Sequence, residues 1–303
     1  YDISACLVGS EMCIRDSRWA TDNVTTSDLA YEACKQTIEN SKINPIDIDM
    51  IIVGTLSSDY FFPGVSAQLQ EKLNLKNVGA FDIKAACSAF IYSLSIADQF
   101  IRTGAAKTIL VVGAETQTKL IEKSTEGRDV AVLFGDGAGA AILTRSDSKS
   151  EILSTHLHSD GKHLKDLWME APGTNKGSWI DDPINLSKFT PKMNGREVFR
   201  NAVTRFPEVI NEALIANNLD INDVKYIVPH QANYRISEAI AKKLNVKMDK
   251  VVSNIHKYGN TTAASIPIAL AEAVEMKKIS TGDIIILAAF GAGFTWASAA
   301  IRW

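Results

Sequence analysis

Three side chains of the kinds that carry out acyl transfer follow short, strand-like segments of this sequence. Cys87 lies in DIKAACSAF, between a strand pattern and a helical pattern, and its small neighbours leave room for a substrate at the sulfur. A helix N-terminus lowers a thiol pKa, so this position favours a nucleophile. His230 follows YIVP, where a histidine can act as acid, base or hydrogen-bond donor. Asn260 lies in YGNTTAAS, before another helical pattern.

Each of these residues also has an ordinary structural explanation. Cysteine is among the most buried residue types. A histidine at a strand end can simply be hydrogen-bonded within the core, and an asparagine beside glycine is by default a turn or N-cap residue. A functional site is therefore indicated only if the fold brings Cys87, His230 and Asn260 together.

An internal repeat supplies a reason for them to meet. The segment from Asp47 reads DIDMIIVG, FDIKAACSAF, RTG and KTILVVGAE in order, and the segment from Asp223 reads DVKYIVPH, VVSNIHKYGNTTAAS, STG and DIIILAAFG. Asp47 and Asp223 are 176 residues apart, and Thr103 and Thr281, each before a glycine, are 178 apart. Near-equal offsets with the same order of features predict a duplicated structural unit.

The elements that must position these residues alternate between short β-branched strands and longer helical segments. This alternation predicts an α/β fold with largely parallel sheets covered on both faces, and Gly104 and Gly282 occupy the places expected of helix C-cap glycines. In the repeat, positions 261 to 263, just after Asn260, correspond to Cys87. Two similar halves packed together would bring Cys87, His230 and Asn260 to one site, suited to acyl transfer through a covalent thioester.

Composition narrows the class of protein. The chain has 303 residues, 46% hydrophobic and 22% charged, with a net charge of -3, so no global field favours nucleic acid or a membrane surface. Its four cysteines form no CxxC pair, which predicts a reducing compartment and a cytoplasmic protein. No apolar run approaches the roughly 18 residues of a membrane span, and the start does not read as a signal peptide. We predict three segments: an atypical stretch over 1–17, and similar halves over 18–150 and 151–303.

Two glycine-rich motifs and one histidine pair need separate interpretation. FGDGAGAAIL, over 134–143, is followed by a strand pattern and not a helix, so a dinucleotide-binding loop is not predicted. FGAGF, over 290–294, is better read as a turn of close backbone approach that can bind an oxyanion. His156 and His158 form an HxH pair with no third ligand at useful spacing, so no metal site is predicted.

The motifs together resemble the β-ketoacyl-acyl-carrier-protein synthase III family, which has the thiolase fold. The resemblance rests on AACSAF, ADQFIRTG, LFGDGAGAAIL, STHLHSDG, PHQANYRI, GNTTAAS and FGAGFTWASA, which occur in this order between about Ile14 and Trp303. It implies two duplicated α/β halves in a five-layer α-β-α-β-α arrangement. It also implies a homodimer, with acyl-coenzyme A and acyl carrier protein as partners. No cofactor is implied, because the coenzyme A thioester is a substrate.

The resemblance further implies a reaction. Cys87 would accept an acyl group, typically acetyl, from coenzyme A, and malonyl on acyl carrier protein would then lose carbon dioxide. His230 and Asn260 would hydrogen-bond the malonyl thioester carbonyl and stabilise the enolate, which attacks the acyl-Cys87 thioester. The oxyanion would be bound by the backbone of Cys87, Gly291, Ala292 and Gly293. The product would be a β-ketoacyl-acyl carrier protein that initiates fatty acid biosynthesis.

Other positions match the family pattern around this centre. Phe62, in YFFPG, matches a residue that crosses the dimer interface to cap the acyl pocket, Phe290 an aromatic residue packed against the active site, and Arg128 an arginine near the coenzyme A adenine. A basic surface that receives the acidic carrier protein is matched by Arg200, Arg235, Lys242 and Lys243. For the two lysines, ordinary solvated helix charges are an equally good explanation.

The sequence departs from the family at its front. The first strand, and a tryptophan that stacks on the adenine of coenzyme A, are not recognisable, and Trp19 does not align with that tryptophan. We therefore expect the first strand of the first sheet to be missing or replaced. Three alternatives stay open: an acyltransferase or condensing enzyme of secondary metabolism, a cysteine hydrolase, and an inactive remnant that folds without turning over.

Overall fold

The described part of the protein contains two four-stranded mixed β-sheets, with helices between and outside them, and a small two-stranded sheet of Leu167–Trp168 with Lys192–Met193. The computed structural model describes residues 18–125, 127–145, 150–174 and 186–303. Residues 1–17, the atypical segment, lie outside these ranges. The strands are β1 (Met50–Gly54), β2 (Gly79–Ile83), β3 (Thr108–Glu115), β4 (Gly137–Thr144), β5 (Glu151–Ser159), β6 (Leu167–Trp168), β7 (Lys192–Met193), β8 (Val224–Pro229), β9 (Ile284–Gly291) and β10 (Thr295–Arg302).

Eight α-helices and two short 3-10 turns matter for the site. The helices are α1 (Thr26–Ser41), α2 (Val65–Lys72), α3 (Ala89–Arg102), α4 (Arg128–Ala131), α5 (Gly195–Ala216), α6 (Tyr234–Lys243), α7 (Ile255–Tyr258) and α8 (Ser265–Glu275). One 3-10 turn, Ala86–Ser88, leads into α3, and we call it the cysteine turn. The other, Thr262–Ala264, leads into α8, and we call it the counterpart turn.

The two four-stranded sheets share the arrangement of three of their strands, β1-β3-β4 in one and β8-β9-β10 in the other. The first has the order β2-β1-β3-β4, in which β1 is parallel to β2 and β3 while β4 is antiparallel. The second has the order β5-β10-β9-β8, in which β8 is parallel to β9 and β10 is antiparallel. Each buried apolar run predicted as a strand is one, because parallel strands covered on both faces must be apolar throughout. Residues 137–143 of the glycine-rich motif lie in antiparallel β4, so the strand predicted there in place of a helix is confirmed.

Both edges differ between the two sheets. In the first sheet β2 pairs with β1, whereas in the described part of the second only an isolated bridge joins Val251 to β8. In the second sheet β5 pairs along the outer edge of β10. In the first sheet the equivalent edge of β4 bonds no strand among the described residues. The predicted boundary at residue 150 falls between β4 and β5, and the place of the expected missing strand falls among residues 1–17, outside the described ranges.

Helices and sheets alternate in five layers. α1 and α2 pack on the outer face of the first sheet, α3 and α8 lie between the sheets, and α5 and α6 cover the outer face of the second sheet. The inner helices are apolar at three-to-four spacing, as in α3, where Phe90, Ile91, Leu94 and Ala97 are buried. They form one core with β-strand residues from both sheets. The predicted α/β fold with duplicated halves in five layers is confirmed.

The helix ends are only partly as predicted. Gly104 follows α3 with φ of 76°, as a C-cap glycine does. Gly282 does not end α8, because that helix stops at Glu275 and Lys277 takes the left-handed conformation instead, with φ of 56°. Gly282 lies in the turn before β9, where its N–H donates to Trp303. Among the described residues, no helix has the length and apolarity that crossing a membrane requires.

Candidate active site

The cysteine turn and the counterpart turn are equivalent parts of the two halves. Ala86 and Thr262, 176 residues apart, both have φ of 48°, a left-handed conformation that is a marked outlier for β-branched threonine. Each turn leads directly into an inner helix. The turns also touch, since Ala85 and Ala89 pack with Ala263 in one apolar cluster. The predicted correspondence of Cys87 with positions 261 to 263 is confirmed, and the shared φ places its counterpart at residue 263.

Cys87 lies in a crowded position against the end of β9. Its side chain is buried, with 7% exposed. A Cβ on Gly291 would lie 2.8 Å from the Cys87 nitrogen and 3.2 Å from its Sγ, so only glycine permits this approach. The first residue of the predicted oxyanion site therefore lies beside the cysteine backbone. Ala292 and Gly293 continue the same turn into β10, where the Ala292 carbonyl accepts the Thr295 hydroxyl.

The thiol is held neutral in the resting protein. Burial raises the pKa of Cys87 to about 12, and the negative charge of Glu115 adds to the effect. The expected lowering of this pKa by the helix N-terminus is thus wrong for the free protein, because loss of water outweighs the favourable backbone N–H. A neutral thiol also avoids a buried charge before substrate arrives.

His230 follows the last residue of β8 and is tied to both sides of the site. Its backbone N–H donates to Ala288 on β9 at 2.8 Å, and its Nδ1 is 2.6 Å from the hydroxyl oxygen of Ser265, the first residue of α8. Burial lowers its pKa to about 3, so the ring is neutral. Nε2 is buried without a hydrogen-bond partner among the described residues. Unsatisfied buried polar atoms are rare in folded proteins, and in a candidate active site such an atom is available to hydrogen-bond a ligand.

Asn260 is held by its backbone and by one side of its amide. Its N–H donates to Leu133 at 2.7 Å, and its carbonyl accepts the N–H of Gly135 at 3.0 Å. Its Oδ1 accepts the N–H of Thr262 in the counterpart turn at 2.9 Å. With the oxygen engaged, the amide nitrogen is the atom that can donate to a substrate.

The three predicted residues therefore lie on adjoining elements. Asn260 bonds the counterpart turn, His230 bonds the first residue of the helix that follows this turn, and Cys87 lies on the turn that packs against it. Two hydrogen-bond donors beside a thiol and a tight backbone turn can bind a thioester and stabilise negative charge on its oxygen.

The predicted pocket residues behave differently from one another. Phe290 is buried at the end of β9 and packs against Phe294, with ring centroids 4.8 Å apart. Phe62 is 79% exposed and lies beside exposed Phe61 on the surface of the single chain, so it does not line a pocket of its own chain. The Arg128 side chain lies outside the described residues.

The four predicted basic residues are all exposed, on two helices that pack together. Arg200 lies on α5 and forms an ion pair with Glu197, so part of its charge is neutralised. Arg235 is in the first turn of α6, and Lys242 and Lys243 are in its last turn, on the order of 10 Å away. They therefore form a band along α6 and not a tight cluster.

The histidine pair is engaged with a helix. Nε2 of His158 is 2.6 Å from a carboxylate oxygen of Glu212 on α5, and Nδ1 of His156 is 3.3 Å from the other oxygen. Among the residues that the structure describes, no group of three or more potential ligands could hold a metal ion.

Sequence reasoning missed two residues of the site. Ser265, which orients the His230 ring, is the last letter of the GNTTAAS motif and gave no chemical signal of its own. Glu115 ends the apolar run KTILVVGAE and is fully buried near Cys87. An acidic residue at the end of an otherwise apolar strand was the available signal.

Known proteins of one family match most of this chain in sequence. The family model for 3-oxoacyl-[acyl-carrier-protein (ACP)] synthase III matches residues 81–161, and that for its C-terminal part matches residues 214–303. A β-ketoacyl-[acyl-carrier-protein] synthase III of Xanthomonas campestris is 43% identical over 100% of this chain and 91% of its own length.

Solved structures agree in fold. The 3-oxoacyl-[acyl-carrier-protein] synthase III of Aquifex aeolicus superimposes with a TM-score of 0.88 at 41% identity, and that of Thermus thermophilus with 0.89 at 36%. Each comparison covers 96% of this chain and 88% of the other. Because both sequence and fold match over nearly the whole chain, this protein belongs to the 3-oxoacyl-[acyl-carrier-protein] synthase III family.

Proposed function

We propose that this protein catalyses the decarboxylative condensation of an acyl-coenzyme A primer with malonyl-acyl carrier protein, the step that initiates fatty acid biosynthesis. The observation that carries the proposal is the contact between the cysteine turn and the counterpart turn. The nucleophile lies on the first turn, the partner of Asn260 lies on the second, and the partner of His230 begins the helix that follows it. Relatives at 43% identity over the full chain carry the corresponding name. They do not favour the secondary-metabolism alternative.

In the first half-reaction, the Cys87 sulfur attacks the thioester carbonyl of the primer, for which we propose acetyl-coenzyme A. The carbonyl oxygen becomes an oxyanion, which the Cys87 N–H and the Gly291–Gly293 turn are suited to bind. Collapse of this intermediate breaks the bond to the coenzyme A sulfur. The proton of Cys87 ends on the released coenzyme A thiol, and an acyl-Cys87 thioester remains.

In the second half-reaction, malonyl-acyl carrier protein replaces coenzyme A. Loss of carbon dioxide leaves an enolate, whose oxygen accepts hydrogen bonds from Nε2–H of His230 and the amide of Asn260. The tautomer of His230 that carries its proton on Nε2 is favoured when the Ser265 hydroxyl donates to Nδ1. The enolate carbon attacks the acyl-Cys87 carbonyl, the carbon–sulfur bond breaks, and the Cys87 thiolate recovers a proton. The product is a β-ketoacyl-acyl carrier protein.

Residues around the catalytic centre would determine which substrates bind. Exposed Phe62 fits a role in a homodimer, in which it would reach the acyl pocket of the second subunit, while Phe290 lines the subunit's own site. Arg128 would contact coenzyme A. The band of Arg200, Arg235, Lys242 and Lys243 would attract the acidic carrier protein. With these soluble thioesters as substrates, we propose the cytoplasm as its place of action.

The test is acyl loading followed by decarboxylation. The protein is incubated with acetyl-coenzyme A, and intact mass with peptide mapping is expected to find one acetyl group on Cys87. Cys87→Ser should abolish the adduct, whereas Cys34→Ser should not, although Cys34 is the other buried free cysteine among the described residues. Malonyl-acyl carrier protein should then release carbon dioxide, and His230→Ala and Asn260→Ala should lose this release. A folded protein that loads neither acetyl nor longer or branched acyl groups would exclude the proposal.

A further inference from the structure

Glu115 is a buried carboxylate for which the two half-reactions assign no task. It is the last residue of β3 and is 0% exposed. Burial raises its pKa to about 7, which means that the fold tolerates a costly group at this place. It is close enough to Cys87 that its charge raises the pKa of the thiol. Its contacts indicate a purpose within the site.

The carboxylate joins two separate segments. On one side it accepts the N–H groups of Leu56 and Ser57, each at 3.1 Å, and the Ser57 hydroxyl, all in the loop after β1. On the other side it faces the counterpart turn, where the backbone N–H of Ala263 helps to lower its pKa. A carboxylate that receives several N–H bonds is a strong and rigid anchor for the groups that donate them.

Glu115 can be compared with the residue at the equivalent position in the other half of the duplication. Ala263 is the counterpart of Cys87, and Glu115 is the counterpart of Gly291, since both pairs are 176 residues apart and the latter two end β3 and β9. The end of β3 also lies close to this turn, because a Cβ on Gly113 would lie 2.3 Å from the Ala263 carbonyl, and Glu115, two residues further on, lies on the same face of the strand. In one half the strand ends in glycine and leaves the turn N–H beside it without a side-chain acceptor from that position. In the other half the strand ends in a carboxylate that faces this N–H.

We propose that Glu115 is a positioning residue for the condensation: its carboxylate takes, on the counterpart turn, the place that the substrate oxyanion takes at Cys87, and thereby holds the turn that orients Asn260. This inference rests on the proposed function. The link is short, because Thr262 in the same turn donates its N–H to Oδ1 of Asn260 at 2.9 Å. Thr262 also has φ of 48°, a conformation that persists only where its surroundings hold it.

The two half-reactions should therefore respond differently to changes at Glu115. Decarboxylation needs Asn260 in position, and a misplacement of about 1 Å can cost about 100-fold in rate. Reaction at the Cys87 sulfur does not need Asn260 but does respond to the nearby charge. Removing that charge lowers the pKa of the thiol, and each unit raises the thiolate fraction about tenfold while the thiol is mostly protonated.

Two variants separate position from charge. Glu115→Gln keeps the shape, loses the charge, and puts an NH2 group where an acceptor is needed. Glu115→Asp keeps the charge but is one methylene too short to join both segments. Asp82→Asn is the matched control, since Asp82 is the next-to-last residue of β2 in the same sheet. It accepts the N–H groups of Val65 and Ser66 at 2.8 and 2.9 Å, at the start of α2.

The assays are the iodoacetamide alkylation rate of Cys87 and the release of carbon dioxide from malonyl-acyl carrier protein, both at about pH 8, where wild-type Glu115 is mostly charged. We expect carbon dioxide release to fall at least about tenfold in both Glu115 variants. Alkylation should rise several-fold in Glu115→Gln and stay near the wild-type rate in Glu115→Asp. Asp82→Asn should leave the ratio of the two rates unchanged.

The inference is overturned if both Glu115 variants change the two rates by the same factor, or change neither. Thermal unfolding of each variant identifies loss of folded protein, which lowers both rates together. Failure of the wild-type protein to load an acyl group or release carbon dioxide is a different result, because it rejects the proposed function itself.

Discussion

The sharpest structural prediction concerns Gly291, which allows the end of β9 to lie against Cys87. In Gly291→Ala the new Cβ would lie 2.8 Å from the Cys87 nitrogen, 2.9 Å from its Cβ and 3.2 Å from its Sγ. Non-bonded carbon atoms prefer about 3.5–4.0 Å. Two of the three atoms are backbone or directly attached to it, so a side-chain rotation cannot relieve the overlap.

The expected losses of stability and rate follow from the displacement that the new Cβ would force. Relief requires a shift of roughly 0.5–1 Å between the end of β9 and the cysteine turn. Overpacking of this kind destabilises a protein by about 1–3 kcal/mol. The same shift would disturb the oxyanion site, where loss of one donor costs about 100- to 1,000-fold in rate. Acylation of Cys87 should therefore fall far more than the folded fraction does.

Single-turnover acetylation of Cys87, followed by intact mass, measures the rate, and thermal unfolding measures stability. Gly161→Ala is the matched control, because a Cβ there has no atom within 4 Å, and it should change neither quantity. Wild-type acetylation by Gly291→Ala, with unchanged unfolding temperature, would refute the argument that close approach at this glycine builds the site.

Further predictions follow from the hydrogen bonds, the titrating groups and the exposed charges. Ser265→Ala removes the 2.6 Å partner of His230 Nδ1 and should lower carbon dioxide release by about tenfold or more while acetylation of Cys87 changes less; equal losses in both steps would contradict this. Because the pKa of Cys87 is raised to about 12, its alkylation rate should rise about tenfold per pH unit from about pH 7 to 9, and a plateau in that range would disagree. Burial lowers the pKa of His230 from 6.5 to about 3, so between these values the unfolded chain binds a proton that the folded one does not. Stability should fall as the pH drops through this window, and chemical unfolding at several pH values should give a shallower fall for His230→Gln. Arg235→Glu should raise the KM for malonyl-acyl carrier protein, more at low salt than at high salt, and leave acetylation by acetyl-coenzyme A unchanged.

Much of the fold could be predicted because its signals are local and repeated. Strand and helix periodicities are set by which faces must be buried, and the duplication gave each signal twice. The repeat also carried the strongest structural prediction, that Cys87 corresponds to positions 261 to 263, and the equal φ values of Ala86 and Thr262 bear it out. The end of α8 was misplaced because a left-handed Lys277 ends the helix without glycine, a choice that no propensity signals.

The state of the thiol could not be predicted from sequence. A helix N-terminus next to Cys87 predicted a lowered pKa, but burial and the carboxylate of Glu115 raise it. Desolvation depends on how completely the neighbouring layers exclude water, and Glu115 approaches from a strand 28 positions away in sequence. Similarly, the exposure of Phe62 is a property of the folded surface, since its motif alone does not say whether a side chain lines its own pocket.

The fold class, the duplication and the candidate residues Cys87, His230 and Asn260 could be predicted from the amino-acid sequence, because periodicity, order and residue type are properties of the chain. The difference between the two halves became visible only in the folded protein. At the ends of β3 and β9, equivalent positions hold Glu115 and Gly291, one against the counterpart turn and the other against the cysteine turn. Which backbone N–H faces a carboxylate and which is left beside a glycine depends on distances of a few ångströms between segments far apart in sequence, and packing alone sets those distances.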